Sequence, residues 1–393
     1  MTDNNENKKK KLKVAFPHMG TIYVAWGTAL RRMGLEPFIP PYSSKRTLSL
    51  GAKYSPEAIC LPYKLILGNF IEALQGGADM VAMISSPGIC RLGEYGQSIQ
   101  HVLKDLGYEG KYIELQLYDG FKGMWRFMNE LGVTNPITII AVLIIGVRKV
   151  FVMDRLERVL SFYRAREITP GTAEKAFNKG TKWIYAADTL RQLKRAERAA
   201  IEEIRKTPID KKRDILYVDI TGEIYLVLDY FSNQNVLREL GKMGVQTRRS
   251  LTVSGFLRDA IIPKWMKKKN LETHLERAPK LAKPWLKRDI GGDALEVISD
   301  VHFANRQSRD GIIHISPFTC MPEIMSQNIF PKMRENVDIP ILPLIMDEQT
   351  GKAGYLTRLE AFVDLMRRKK RKKALDKKEN KKVIEKIKDK ILK

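Results

Sequence analysis

The chain has 393 residues, an apolar fraction of 44% and a formal net charge of +24, a length that suits two or three domains with cores of their own. Its three cysteines are too few and too far apart for a disulfide framework. The lysine-rich start lacks the apolar core of a secretory signal. The longest apolar run, Ile137 to Val147, has 11 residues, short of the ~20 that a spanning helix needs. We therefore expect a cytoplasmic protein with reduced thiols and no membrane span, and this apolar run as a buried or docked helix.

Residues 1–12 read as a basic, disordered extension. Residues 13–18 (K-V-A-F-P-H) read as a first buried strand, Gly20 opens the turn, and Thr21 to Arg32 suits a helix. A short strand at Glu36 to Ile39 runs into Pro40-Pro41. Ser55-Pro56-Glu57 carries a helix-start signature, which predicts Cys60 within the first two helical turns. Val81 to Ile84 is a buried strand, and Cys90 follows in a loop that begins Pro87-Gly88. Ser98 to Leu106 predicts a helix, Tyr112 to Leu117 a strand, and Gly120 to Leu131 a helix. Alternating strands and helices predict a parallel sheet covered on both faces, so residues 13–135 form a first α/β half.

From 136 to 210 the strand signal disappears. Arg155 to Arg205 has helical spacing broken near Thr169-Pro170-Gly171, and 136–210 reads as a helical connector. The second half, 211–366, begins with a strand at Asp214 to Ile220 and a turn at Gly222. Tyr225 to Lys242 is mainly helical, and Gln246 to Val253 is a strand. A basic stretch at Lys264 to Lys287 follows. Helices at Ala294 to Ser308 and Met321 to Lys332 flank a strand at Ile312 to Ile315. A strand at Ile339 to Met346 and a helix at Tyr355 to Met366 close the half. Residues 367–393 hold 15 basic and 4 acidic side chains, a disordered tail or an amphipathic basic helix.

The two halves repeat one pattern. Asp79 to Cys90 reads D-M-V-A-M-I-S-S-P-G-I-C, and Asp310 to Cys320 reads D-G-I-I-H-I-S-P-F-T-C. Each is an acid, an apolar run and Ser-Pro-x-x-Cys. G-T-I-Y at Gly20 to Tyr23 matches G-E-I-Y at Gly222 to Tyr225, and each precedes a stretch that ends in Met-Gly. Two of the three cysteines thus occupy equivalent places. In a doubly wound sheet the loops at the carboxyl ends of strands line the ligand crevice. Two halves facing one another would bring Cys90 and Cys320 to a shared cleft, with Cys60 at a helix start beside them. Helix N-termini favour thiolates, the form that ligates metals. Pro62, Pro87, Pro317 and Pro322 stiffen the surrounding loops. Three converging thiolates are one short of the set for a cubane iron–sulfur cluster or a structural zinc. The ordinary alternative is three packed core cysteines.

The motifs E-x-x-C-L-P-Y-K (Glu57 to Lys64), S-P-G-I-C-R (Ser86 to Arg91), S-P-F-T-C-M-P-E (Ser316 to Glu323) and T-R-L-E-A-F (Thr357 to Phe362) resemble one family. It is the 2-hydroxyacyl-CoA dehydratase and benzoyl-CoA reductase superfamily, in its activase-associated branch of CoA-protein activases. The resemblance covers residues 13 to 366. It implies two Rossmann-like halves with a 4Fe–4S cluster between them, held by Cys60, Cys90 and Cys320. It also implies a separate ATP-hydrolysing activase as electron donor, a possible second cluster-bearing subunit, and an acyl-CoA or other small-molecule substrate. The chain itself contains neither G-x-x-x-x-G-K-S/T nor G-x-G-x-x-G, so ATP use falls to a partner.

Around the cysteines, Lys64 and Arg91 are candidates for stabilising an anionic cluster or a CoA phosphate, against a surface salt bridge. Glu57, Glu94 and Glu323 are candidates for proton positioning, against helix capping. Gly20 and Gly222 permit tight turns, and Tyr23 and Tyr225 follow them as cleft or packing residues. His18 ends a strand, and His314 reads as core. Two other classes remain: a non-catalytic iron–sulfur relay for an activase, and a basic nucleic-acid-binding protein with structural cysteines. The charge runs lack the interleaved aromatic residues of an RNA-binding surface.

Overall fold

The computed structural model describes residues 11–85, 90–116, 120–261 and 274–391. The first half alternates strands and helices: β1 (Lys13–Ala15), α1 (Tyr23–Arg32), β2 (Glu36–Phe38), α2 (Lys45–Lys53), α3 (Leu61–Gln75), β3 (Met80–Ser85), α4 (Tyr95–Asp105), β4 (Tyr112–Gln116) and α5 (Gly120–Glu130). Three helices follow: α6 (Pro136–Arg166), α7 (Thr172–Ala186) and α8 (Leu190–Arg205). The second half contains β5 (Leu216–Gly222), α9 (Ile224–Leu228), α10 (Val236–Lys242), β6 (Val245–Arg249), α11 (Val253–Ile261), α12 (His274–Ala282), α13 (Ala294–Arg306), β7 (Gly311–Pro317), α14 (Met321–Met333), β8 (Ile341–Met346) and α15 (Lys352–Ile391).

Each half builds a four-stranded, fully parallel sheet, in the orders β2-β1-β3-β4 and β6-β5-β7-β8. The α/β class with two helix-flanked parallel sheets is the expected one. The repeat seen in the sequence is therefore a repeat of topology. In each sheet the chain reverses its direction of winding between the first and third strands, β1/β3 and β5/β7. The carboxyl ends of such a pair open a crevice. The central strands are apolar on both faces, as a sheet covered twice requires; every residue of β7 is buried.

The halves share one apolar core, in which Tyr63, Leu67 and Phe70 of α3 join Ile220 of β5, Leu226 of α9 and Ile315 of β7. Each fully buried side chain of this size contributes roughly 1.5–3 kcal/mol. The loops at the carboxyl ends meet across this core. Gly20 takes a left-handed φ of +57°, and a side chain there would stand 2.7 Å from the Leu228 carbonyl oxygen. Thr319 Oγ1 donates to the Ala58 carbonyl at 3.3 Å.

α6 straddles the molecule, packing on α1 from one half and on β6, α10 and α11 from the other. It runs well beyond the apolar stretch from 137 to 147. By length and composition it could cross a membrane, with a mean hydropathy of 2.1 over 18 residues, of which 39% are buried in the protein. The buried part includes Ile139, Val142 and Ile145, while Ile137, Ile140 and Ile144 are exposed.

Three local expectations are corrected. Ser55-Pro56-Glu57 does not start a helix. Ser55 Oγ bonds back to the Gly51 carbonyl at 2.5 Å, which finishes α2, and α3 starts at Leu61 with Cys60 as its N-cap. The strand expected to reach Val253 ends at Arg249; Thr252 Oγ1 accepts the Gly255 N–H at 3.1 Å, and α11 begins. The closing helix does not stop at Met366. α15 continues into the basic tail, with Lys369 and Lys373 paired to Asp338 and Lys370 to Asp214. The basic stretch at 264–287 falls partly outside the described residues.

Candidate functional site

All three cysteines sit where a helical segment begins. Cys60 is the N-cap of α3 and Cys320 the N-cap of α14, each with proline two residues on (Pro62 and Pro322). Cys90 stands directly before a 3-10 turn, Arg91–Glu94, that leads into α4. Proline suits this position because its missing N–H has no intrahelical partner to lose. Free N–H groups and the positive end of the helix dipole favour negative charge on a sulfur held there.

Cys60 and Cys320 are buried and Cys90 is half-buried. Tyr95, the first residue of α4, places its hydroxyl 2.5 Å from Cys60 Sγ. Burial raises the Tyr95 phenol well above its ordinary range, and the neighbouring sulfurs of Cys60 and Cys90 and the Glu223 carboxyl add to the rise. Burial likewise pushes the Cys320 thiol up, reinforced by Glu323, Glu223 and Cys90; the Glu323 N–H, donating to the sulfur, acts in the opposite sense. Cys60 and Cys90 thus both lie near Tyr95, Cys90 also lies near Cys320, and Glu223 lies near both Tyr95 and Cys320.

The second half lines this neighbourhood with carboxyls. Glu223 caps α9, accepting N–H bonds from Tyr225 and Leu226 at 2.9 Å each. Burial still raises it to about 7, with Glu323 adding to the rise. Asp293 occupies the N-cap position of α13, and its carboxyl accepts the Ile224 N–H at 3.1 Å. Burial lifts it well above its usual range, helped by Glu323 and Glu223. Glu323 is buried and its carboxylate engages His314 Nε2. His314 is buried in β7, as expected, and there it is the partner of a buried carboxyl.

The topological repeat shows a further equivalence. Helix α3 precedes β3 and starts from Cys60, while α13 precedes β7 and starts from Asp293. Cys90 and Cys320 are equivalent, and the place of Cys60 is taken by an aspartate in the second half. Gly292, just before Asp293, lies against Pro322, so the starts of α13 and α14 are neighbours.

The other predicted residues divide. Lys64 is buried and points its ammonium at the Glu57 carbonyl, 3.0 Å, and at Glu348 Oε1, 2.6 Å. Glu57 is exposed in the turn before Cys60 and meets Lys64 through its backbone carbonyl. Glu94 is exposed at the end of the 3-10 turn. Gly222 has a φ of +133°, and a side chain there would collide with the backbone of Ile315, so it is the tight crossing between β5 and β7. Tyr23 and Tyr225, equivalent in sequence, differ in surroundings. Tyr225 is buried in the shared core, whereas Tyr23 stands in an aromatic group with His18, Tyr42 and Tyr185 beside the connector. His18 Nε2 lies 2.7 Å from the Pro40 carbonyl. The side chain of Arg91 and residues 86–89 lie outside the described parts.

Among the described residues, no three His, Cys, Asp or Glu side chains are drawn together tightly enough to hold a metal ion. The donor chemistry nevertheless fits a thiolate-bound cluster: three soft ligands from three separate elements, each at a helical start. Glu223 and Asp293 fit it as well, since raised proton affinity keeps much of their charge off at neutral pH. Sequence reasoning missed Tyr95, Glu223, Asp293 and Glu348. Aligning helix starts rather than cysteines would have found Asp293; Tyr95 carries no sequence signal. Compared with known proteins, the chain matches no family model and no curated protein.

Proposed function

We propose that this chain is an iron–sulfur protein of the 2-hydroxyacyl-CoA dehydratase type. In this reading Cys60, Cys90 and Cys320 hold a 4Fe–4S cluster in the cleft between the halves. A separate ATP-hydrolysing activase supplies low-potential electrons, which are used on an acyl-CoA or other small molecule. The observation that carries this reading is that three cysteines, two of them at equivalent points of a repeat, each stand at a helical start, with Cys60 and Cys90 both near Tyr95 and Cys90 near Cys320.

A cluster held by Cys60, Cys90 and Cys320 would supply low-potential one-electron chemistry. The chain's own residues have separate tasks. The N–H groups at the starts of α3 and α14 offset negative charge, and the Glu323 N–H donates to Cys320 Sγ. Glu223, near half-protonation at neutral pH, can hold or release a proton at its carboxyl oxygen inside the cleft. Cys60 belongs to the shared apolar core, which shields its sulfur from water. The test is anaerobic incubation of the reconstituted chain with an ATP-hydrolysing activase and its reductant. ATP-dependent reduction, seen as a change in the cluster's electron paramagnetic signal, supports the reading. Failure of the bound cluster to accept an electron under these conditions contradicts it.

A further inference from the structure

Tyr95 and Tyr63 form a reciprocal pair of ties between α3 and α4. Tyr95, on the first turn of α4, reaches back to Cys60 Sγ at the cap of α3, 2.5 Å away. Tyr63, on the first turn of α3, reaches across to Ser98 Oγ on α4, 2.7 Å away. The two rings lock edge to face, with centroids 5.1 Å apart and planes at 85°. Both are buried, and Tyr95 is only 3% exposed. The helix that begins at Cys60 and the helix that follows Cys90 are therefore held together at their first turns, and one tie ends on a sulfur.

We propose that Tyr95 is a positioning residue of the cysteine site, its hydroxyl donating to Cys60 Sγ, aiming that sulfur into the cleft and raising the reduction potential of a cluster bound there. The proposal rests on the iron–sulfur reading and deepens it. Reduction adds negative charge that spreads onto the ligand sulfurs. A donor aimed at a sulfur stabilises the reduced form more than the oxidised one, and hydrogen bonds to sulfur are one of the protein's levers on potential. The tie is specific to the first half. Cys320 receives a backbone N–H from Glu323 on its own helix, whereas Cys60 meets the hydroxyl of a residue on a different element.

Tyr95→Phe keeps the ring that packs on Tyr63 and removes only the hydroxyl. Ser98→Ala serves as the companion, loosening the second tie without touching a sulfur. Each full-length chain is reconstituted anaerobically, and its iron content and midpoint potential are measured by a titration followed through the paramagnetic signal. The expected result is wild-type iron in both variants, a potential displaced to more negative values in Tyr95→Phe, and an unchanged potential in Ser98→Ala. An unchanged potential in Tyr95→Phe, or an equal displacement in both variants, overturns the proposal, the latter because helix packing alone would then explain it. If the wild-type chain binds no iron, the functional reading itself fails. The tie is then read on the iron-free chain as the rate at which iodoacetamide alkylates Cys60, followed by peptide mass. A severalfold slower rate in Tyr95→Phe supports the tie, and an equal rate overturns it.

Discussion

Lys64 of α3 and Glu348, in the turn between β8 and α15, meet at 2.6 Å although 284 residues separate them in the chain. This ion pair joins the two halves one turn into the helix that Cys60 caps, and it is lopsided: the lysine side chain is 4% exposed and the glutamate 37%. Removing either partner therefore leaves a different residue stranded. Glu348→Ala leaves a buried ammonium with the Glu57 carbonyl as its remaining partner in this pair of contacts and should cost roughly 2–3 kcal/mol. Lys64→Met leaves a carboxylate that water can still reach and should cost about 1 kcal/mol or less. Chemical denaturation of the two variants checks the order, and equal costs would contradict it.

The placement of Cys60 depends on glycines elsewhere. α2 and α3 approach so closely that a Cβ at Gly68 would run into the Thr47 carbonyl, and one at Gly51 into the Lys64 carbonyl. Both contacts are backbone, which cannot swing aside. Gly68→Ala should push α3 away from α2 and destabilise the protein by roughly 2–4 kcal/mol. It should also impair iron binding, because Cys60 caps the displaced helix. Denaturation and iron content measured on the same preparation test this.

Two buried groups predict a stability minimum near neutral pH. Burial raises Glu223 from 4.5 to about 7, so between these values the folded chain binds more protons than the unfolded one, and stability falls as pH rises. Lys149 donates to Thr28 Oγ1 and to the Tyr185 carbonyl, and burial lowers it from 10.5 to about 7, with Arg31 adding to the effect. Between 7 and 10.5 the unfolded chain binds more protons, so stability rises with pH. Across each window a single group changes stability by at most about 1.4 kcal/mol per pH unit. Glu223→Gln should flatten the acid limb of the curve and Lys149→Met the alkaline limb. Denaturation of the iron-free chain from pH 4.5 to 10 reads both, and a curve unaltered by either substitution would contradict the assignment.

The sequence was most legible where one physical signal acted alone. The apolar runs that became β3, β5 and β7, the repeat of Ser-Pro-x-x-Cys, and Gly222 at its crossing all follow from burial or from a backbone only glycine adopts easily. It was less legible where signals competed. Ser55 and Pro56 resemble a helix start, yet Ser55 spends its hydroxyl on the end of α2. The basic tail lacks apolar periodicity strong enough to fix its form, but no glycine or proline interrupts it after Gly354, and good helix formers carry α15 to Ile391. Long-range pairs such as Cys60 with Tyr95, or Lys64 with Glu348, depend on how helices and loops dock, which no local pattern encodes. Asp293 was hidden for another reason: the repeat keeps the helix start and changes the residue type.

Cys60, Cys90 and Cys320 together are expected to hold one cluster, and the most direct measurement of this is iron and acid-labile sulfide content after anaerobic reconstitution. It is made on the wild type and on Cys60→Ala, Cys90→Ala and Cys320→Ala side by side. The account predicts about four irons and four sulfides per wild-type chain, and loss of most of both in every single variant while the fold remains intact. A wild-type chain without iron, or three variants that keep the full complement, would contradict it.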